Sequence, residues 1–94
     1  MKSKNRLKKS FVILNDKGLH ARPATELVRC ASSFESRVFL GYRGFNANAK
    51  SILSILMLAA TRGASIQLEA EGVDAEAAVT AIIKLANNKF NIDY

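Results

Sequence analysis

The chain's only histidine stands in the run Gly18-Leu19-His20-Ala21-Arg22-Pro23-Ala24. A neutral imidazole presents a nucleophilic nitrogen near neutral pH, and a side-chain nucleophile of this kind can take up a group covalently. The neighbours fit an anion attached there. Gly18 permits a tight turn, and Pro23 suits the first turn of a helix, where backbone N–H groups lack intrahelical partners. This puts His20 at or next to an N-cap, with the N–H groups of Ala21 and Arg22 nearby. A helix N-terminus and the guanidinium of Arg22 would both stabilise phosphoryl oxygens on the ring. A phosphorus–nitrogen bond to imidazole breaks readily, so such a group can be handed on. No second base suggests a protease-type arrangement, and no Gly-rich Lys loop suggests nucleotide binding; the phosphoryl group would come from a partner's active site. Read without its neighbours, a lone histidine equally fits a structural or surface role.

The elements that would position this segment follow from the periodicity of the apolar residues. Phe11 to Leu14 reads as a strand ending at Asn15-Asp16-Lys17-Gly18, a turn composition. Ala24, Leu27, Val28 and Ala31, with Phe34 beyond, have the spacing of one buried helical stripe. Arg37 to Tyr42 and Phe45 to Asn48 read as a hairpin about Gly44. Ser51 opens a second helix running to about Ala60. Ile66, Leu68 and Ala70 alternate with Gln67, Glu69 and Glu71, as in a strand with one buried face. Asp74 is expected to cap a final helix carrying Ala78, Ala81, Ile82 and Leu85. The order β-α-β-β-α-β-α predicts an α+β domain, with helices on one face of a mainly antiparallel sheet.

The 94 residues suffice for one domain, and 49% hydrophobic against 23% charged residues is a globular balance. The longest apolar stretch, Ile52 to Ala60 with Ser54 inside it, is far short of the roughly 20 residues of a membrane span. With no secretory leader pattern, a cytoplasmic protein is expected. Cys30 alone cannot form an internal disulfide, and a single histidine and cysteine make no zinc site; neither metal nor cofactor is expected. The net charge of +6 is concentrated in Lys2, Lys4, Arg6, Lys8 and Lys9, while the remainder is nearly neutral. Residues 1–9 are therefore read as a basic, flexible extension and residues 10–94 as the domain. The extension could steer an acidic partner. A folded body that bound nucleic acid would carry its own basic face and stacking aromatics, so no specific nucleic-acid partner is expected.

Gly-Leu-His-Ala-Arg-Pro-Ala closely resembles the active-site segment of HPr, the histidine phosphocarrier family of the bacterial phosphoenolpyruvate-dependent phosphotransferase system. Asn48-Ala49-Lys50-Ser51-Ile52-Leu53 resembles a second segment of that family, and the likeness extends from about Ser10 to Phe90. The resemblance implies an open-faced β-sandwich: a four-stranded antiparallel sheet with three helices on one side. It implies a monomeric carrier, not a stand-alone enzyme. His20 would accept phosphoryl on Nδ1 from phosphorylated enzyme I and pass it to enzyme IIA-type proteins, with Arg22 and the Ala21 N–H stabilising it.

Ser51 matches a serine that a dedicated kinase/phosphorylase modifies in many relatives; on its own terms, it is also a good N-cap. Phosphate there would add about two negative charges beside the docking surface, with Lys50 adjacent. Ile55, Leu58 and Ala59 could fill the core. By the resemblance, Ile52, Leu53 and Leu56 form an exposed patch for partners, whereas burial of all of them is the plain alternative. Lys17 stands where many relatives have a small hydrogen-bonding residue, so it either adds charge at the site or points away. The segment Leu56 to Ala60 and the Phe90-to-Tyr94 ending also resemble the nitrogen-type, regulatory relatives. A regulatory protein switched at His20 or Ser51 is thus the second reading, and nucleic-acid binding through the basic extension a third.

Overall fold

The computed structural model describes residues 6–94. Four strands, β1 (Arg6–Val12), β2 (Arg37–Tyr42), β3 (Phe45–Asn48) and β4 (Ser65–Glu71), form one antiparallel sheet in the order β1-β4-β2-β3. The helices α1 (Ala21–Ser32), α2 (Ile52–Met57) and α3 (Ala75–Asn87) supply the apolar partners of one sheet face. The result is an α+β open-faced sandwich.

β4 shows why only one face is covered. Ile66, Leu68 and Ala70 are buried, and the alternating Ser65, Gln67, Glu69 and Glu71 lie toward the open face. Val38 and Leu40 of β2 and Ala47 of β3 continue the buried face, met by Leu27 and Ala31 of α1, Ile55 of α2, and Ala78 and Ile82 of α3. At one end of this core, Phe90 packs its fully buried ring edge-on against Phe11, with 6.0 Å between centroids.

Four expectations need correction. The first strand runs over Arg6–Val12, not Phe11–Leu14, with Arg6 opposite Glu71 and Phe11 opposite Ile66. Arg6, Lys8 and Lys9 therefore belong to the sheet, and Arg6 also ion-pairs with Glu69. As an edge strand with one open face, β1 tolerates charged side chains that read as a tail in sequence. The rest of the predicted extension, Lys2 and Lys4 included, lies outside the described residues.

The first helix begins at Ala21, as the expected N-cap position of His20 requires, one turn before its apolar stripe. The second is shorter than expected: it stops at Met57, and Ala59 takes a left-handed φ of 51°. Ala59 is accordingly exposed, whereas Ile55 and Leu58 enter the core. Finally, Asp74 occupies the N-cap position of α3, but its side chain accepts no cap hydrogen bond from that helix. It reaches Glu35 and Ser36 instead.

Candidate functional site

His20 is the N-cap of α1, in extended backbone conformation. The first intrahelical bond runs from the Ala24 N–H to the His20 carbonyl, 3.0 Å. The N–H groups of Ala21 and Arg22 consequently have no intrahelical acceptor, and Pro23 has no N–H to leave unpaired. Thr25 closes the turn from the other side, its hydroxyl donating to the Ala21 carbonyl at 2.8 Å. The first turn holds no acidic residue, so nothing competes with an incoming anion there.

The loop before His20 is fixed by close backbone approach. Gly18 has φ +70°, and a Cβ on it would lie 2.4 Å from the Ala60 carbonyl oxygen. The Leu19 N–H donates to that oxygen at 3.0 Å. One residue before His20, the chain is thus pinned to the segment following α2, and the expected role of Gly18 in a tight turn holds.

A second tether binds this loop to the segment after α3. The buried Asn15 side chain donates to the carbonyls of Lys89 (2.9 Å) and Ile92 (3.0 Å). The Lys17 N–H donates to the main-chain oxygen of Tyr94 at 3.0 Å. Between these points Lys89, Phe90 and Asn91 are all left-handed, with φ of 54°, 54° and 63°. The turn brings Tyr94 onto the histidine. The two rings stack with 5.4 Å between centroids and 23° between planes, and Arg22 Nη1 donates to the Tyr94 hydroxyl at 2.9 Å.

Lys17 joins the cluster: its Nζ lies 5.0 Å from the Tyr94 ring centroid, and the Arg22 guanidinium carbon lies 5.8 Å from it. Asp16 is paired with Arg62 at 3.2 Å. The Tyr94 ring stacked on His20 is therefore met by two cations, while the acid of the histidine's own loop is engaged elsewhere. Its Nε2 is buried without a hydrogen-bond partner.

The structure unites His20, Ala21, Arg22 and Lys17, and adds Tyr94 and Asn15, which sequence reasoning missed. Asn15 reads as part of a polar turn, and no local pattern links Tyr94 to a residue so far upstream. Ser51 belongs to another element. It is the N-cap of α2, its hydroxyl accepting from the Ser54 N–H at 3.3 Å. Lys50 turns away, donating from Nζ to the Phe34 carbonyl at 2.8 Å.

Ile52, Leu53 and Leu56 are exposed, as expected, with Leu53 at 71%. Met57 at 77% enlarges the patch; its place in an apolar run concealed this. Because the Ala60 carbonyl holds the Leu19 N–H, the end of α2 adjoins the histidine loop. Cys30 is half-buried on α1, and burial pushes its thiol pKa up, so the thiolate is disfavoured.

Residues 7–88 match the family model described as the PTS HPr component phosphorylation site. The chain belongs to the HPr family. A phosphocarrier protein HPr of Treponema pallidum is 43% identical over 82 residues, 87% of this chain and 93% of that protein. The crystal structure of HPr-C-His from Thermoanaerobacter tengcongensis aligns with a TM-score of 0.88 and 38% identity, covering 94% of this chain and 99% of the other. An HPr dimer from the same organism aligns at 0.73 and 39%, covering 96% and 98%. Membership in HPr carries with it a role in phosphoryl transfer as a carrier. Among the described residues, no helix is long and apolar enough to cross a membrane.

Proposed function

We propose that this HPr carries phosphoryl on His20 Nδ1, accepting it from phosphorylated enzyme I and passing it to enzyme IIA-type proteins in sugar uptake or its regulation. The observation that supports this most is the N-cap position of His20: a nucleophilic ring stands beside two unclaimed N–H groups and Arg22. Nε2 is the buried ring nitrogen, which leaves Nδ1 for the incoming group. In the forward step the Nδ1 lone pair bonds to phosphorus as the bond from phosphorus to the donor's side chain breaks. The Ala21 and Arg22 N–H groups and the guanidinium then hold the oxygens. Transfer to the acceptor reverses these events. The chain supplies a covalent way-station rather than a complete active site, and acts as a monomer in the cytoplasm with the α2 patch free for docking.

The test is incubation with enzyme I, phosphoenolpyruvate and Mg²⁺, with intact mass read at alkaline pH. One acid-labile phosphoryl group is expected, and none on the His20→Ala variant. No gain from an active cognate donor, or a gain that survives in His20→Ala, overturns the proposal.

A second, regulatory reading rests on Ser51. Its hydroxyl caps α2 beside exposed Ile52 and Leu53, so phosphate added by a serine kinase/phosphorylase would set about two negative charges at the patch edge. With Lys50 held at Phe34, that charge stays largely uncompensated and would repel an acidic partner. Phosphoryl acceptance without onward transfer to any IIA protein would favour a nitrogen-type or other regulatory role.

A further inference from the structure

Tyr94 is bound to the histidine site in more ways than surface packing requires. Its ring stacks on the imidazole, its hydroxyl accepts from Arg22, and its main-chain oxygen accepts from the Lys17 N–H. The segment that delivers it passes through three left-handed residues, a conformation that L-residues rarely adopt. It is held there by the buried Asn15 amide and by Phe90 in the core.

The geometry points to Tyr94 as a positioning residue for phosphoryl transfer: its ring fixes the imidazole so that Nδ1 meets phosphorus, and its hydroxyl holds Arg22 until phosphoryl oxygens replace it. The exchange at Arg22 is a swap of acceptors. A guanidinium N–H leaves a neutral phenol oxygen for an anionic oxygen, and the charge-assisted bond is the stronger of the two. The stacked ring does not need to move for this to happen. It covers one face of the imidazole and limits the rotation of that ring, which lowers the cost of orienting it in the encounter. This role rests on the phosphocarrier reading of His20.

Tyr94→Phe keeps the ring and removes the hydroxyl; Tyr94→Leu removes both. Potassium phosphoramidate serves as a protein-free donor: its phosphorus–nitrogen bond breaks as Nδ1 bonds to phosphorus, and nitrogen leaves as ammonia after gaining a proton from water. Nitrogen-15 NMR of labelled histidine reads which ring nitrogen carries phosphate, and backbone spectra check the fold.

Wild type and Tyr94→Phe are expected to carry phosphate on Nδ1. Tyr94→Phe should react about two- to tenfold faster, the factor a hydrogen bond of ordinary net strength represents. Tyr94→Leu is expected to yield a mixture of Nδ1 and Nε2 products, a change that loss of stability alone would not cause. Nδ1 product only, at one rate in all three proteins, overturns the positioning role. A parallel reaction with enzyme I separates the two readings. If enzyme I modifies all three proteins alike, the positioning role fails and the carrier stands. If phosphoramidate gives the expected pattern and enzyme I gives nothing, the carrier reading fails and the ring's control of the imidazole stands.

Discussion

Asp74 binds Ser36 twice: Oδ1 accepts from the Ser36 N–H at 2.9 Å and from its hydroxyl. Oδ2 accepts from the Glu35 N–H at 2.9 Å. The residue that opens α3 thereby fixes the entry to β2, the strand that carries Val38 and Leu40 into the core.

These donors, the Ser36 hydroxyl foremost, hold the Asp74 carboxyl below its ordinary 3.8. A carboxylate lowered in the folded state stabilises the fold fully above its unfolded value, and that contribution is lost as pH falls through the lower, folded one. Thermal melts taken from neutral pH down through 3.8 should show Tm falling on acidification. Asp74→Asn should melt lower at neutral pH and lose part of this acid dependence. Equal acid dependence in the two proteins would remove Asp74 from the explanation.

Gly18→Ala puts a side chain where φ is +70° and the Ala60 carbonyl oxygen is 2.4 Å away. The left-handed conformation alone costs about 1–2 kcal/mol, and relief of the clash must shift the Leu19–His20 backbone. Chemical denaturation is expected to show a loss of about 2 kcal/mol or more. Phosphoryl acceptance should fall in the fraction that remains folded. Wild-type stability would refute the close approach.

Phe90→Ala removes a fully buried ring packed on Phe11. Truncation of such a side chain costs about 3–5 kcal/mol. The loss should extend to the site, since Phe90 anchors the turn between Asn15's two acceptors. The ring-current shift that Tyr94 exerts on the His20 protons should shrink in parallel with stability, which NMR would detect.

Leu53→Asp changes a residue 71% exposed, so stability should stay within about 0.5 kcal/mol of wild type. Binding to an enzyme I or IIA protein should weaken by about 1 kcal/mol or more if Leu53 lies in the buried centre of the interface. Calorimetry with the two purified partners checks both halves. Unchanged affinity for each would remove the patch from docking.

The parts of this fold that were legible in sequence are those whose cause is local. β4 shows strict alternation because one face is buried and the other wet, and α1 shows its stripe because one side meets the sheet. The N-cap position of His20 followed from Pro23. Contacts between distant segments left no such trace. Asp74 has the composition of an ordinary helix cap, and only the folded chain shows that its carboxylate serves Ser36 across the molecule. The left-handed φ that separates exposed Ala59 from the core falls on an alanine, which marks no turn. β1 hid among lysines because charge is tolerated along a sheet edge. Tyr94 carried no signal as a partner of His20, because the stack depends on Asn15, Lys17 and a left-handed turn acting together.

The tether from Asn15 to Lys89 and Ile92 also sets an order of events during synthesis. Its donor leaves the ribosome early, and its acceptors follow 74 and 77 residues later. A nascent chain halted before them has the imidazole, yet it has no aromatic cover for that ring and no phenol to hold Arg22. The histidine acquires these surroundings only once Asn15, Lys89, Ile92 and Tyr94 are all in place, so the state of this ring reports whether the two distant segments have met.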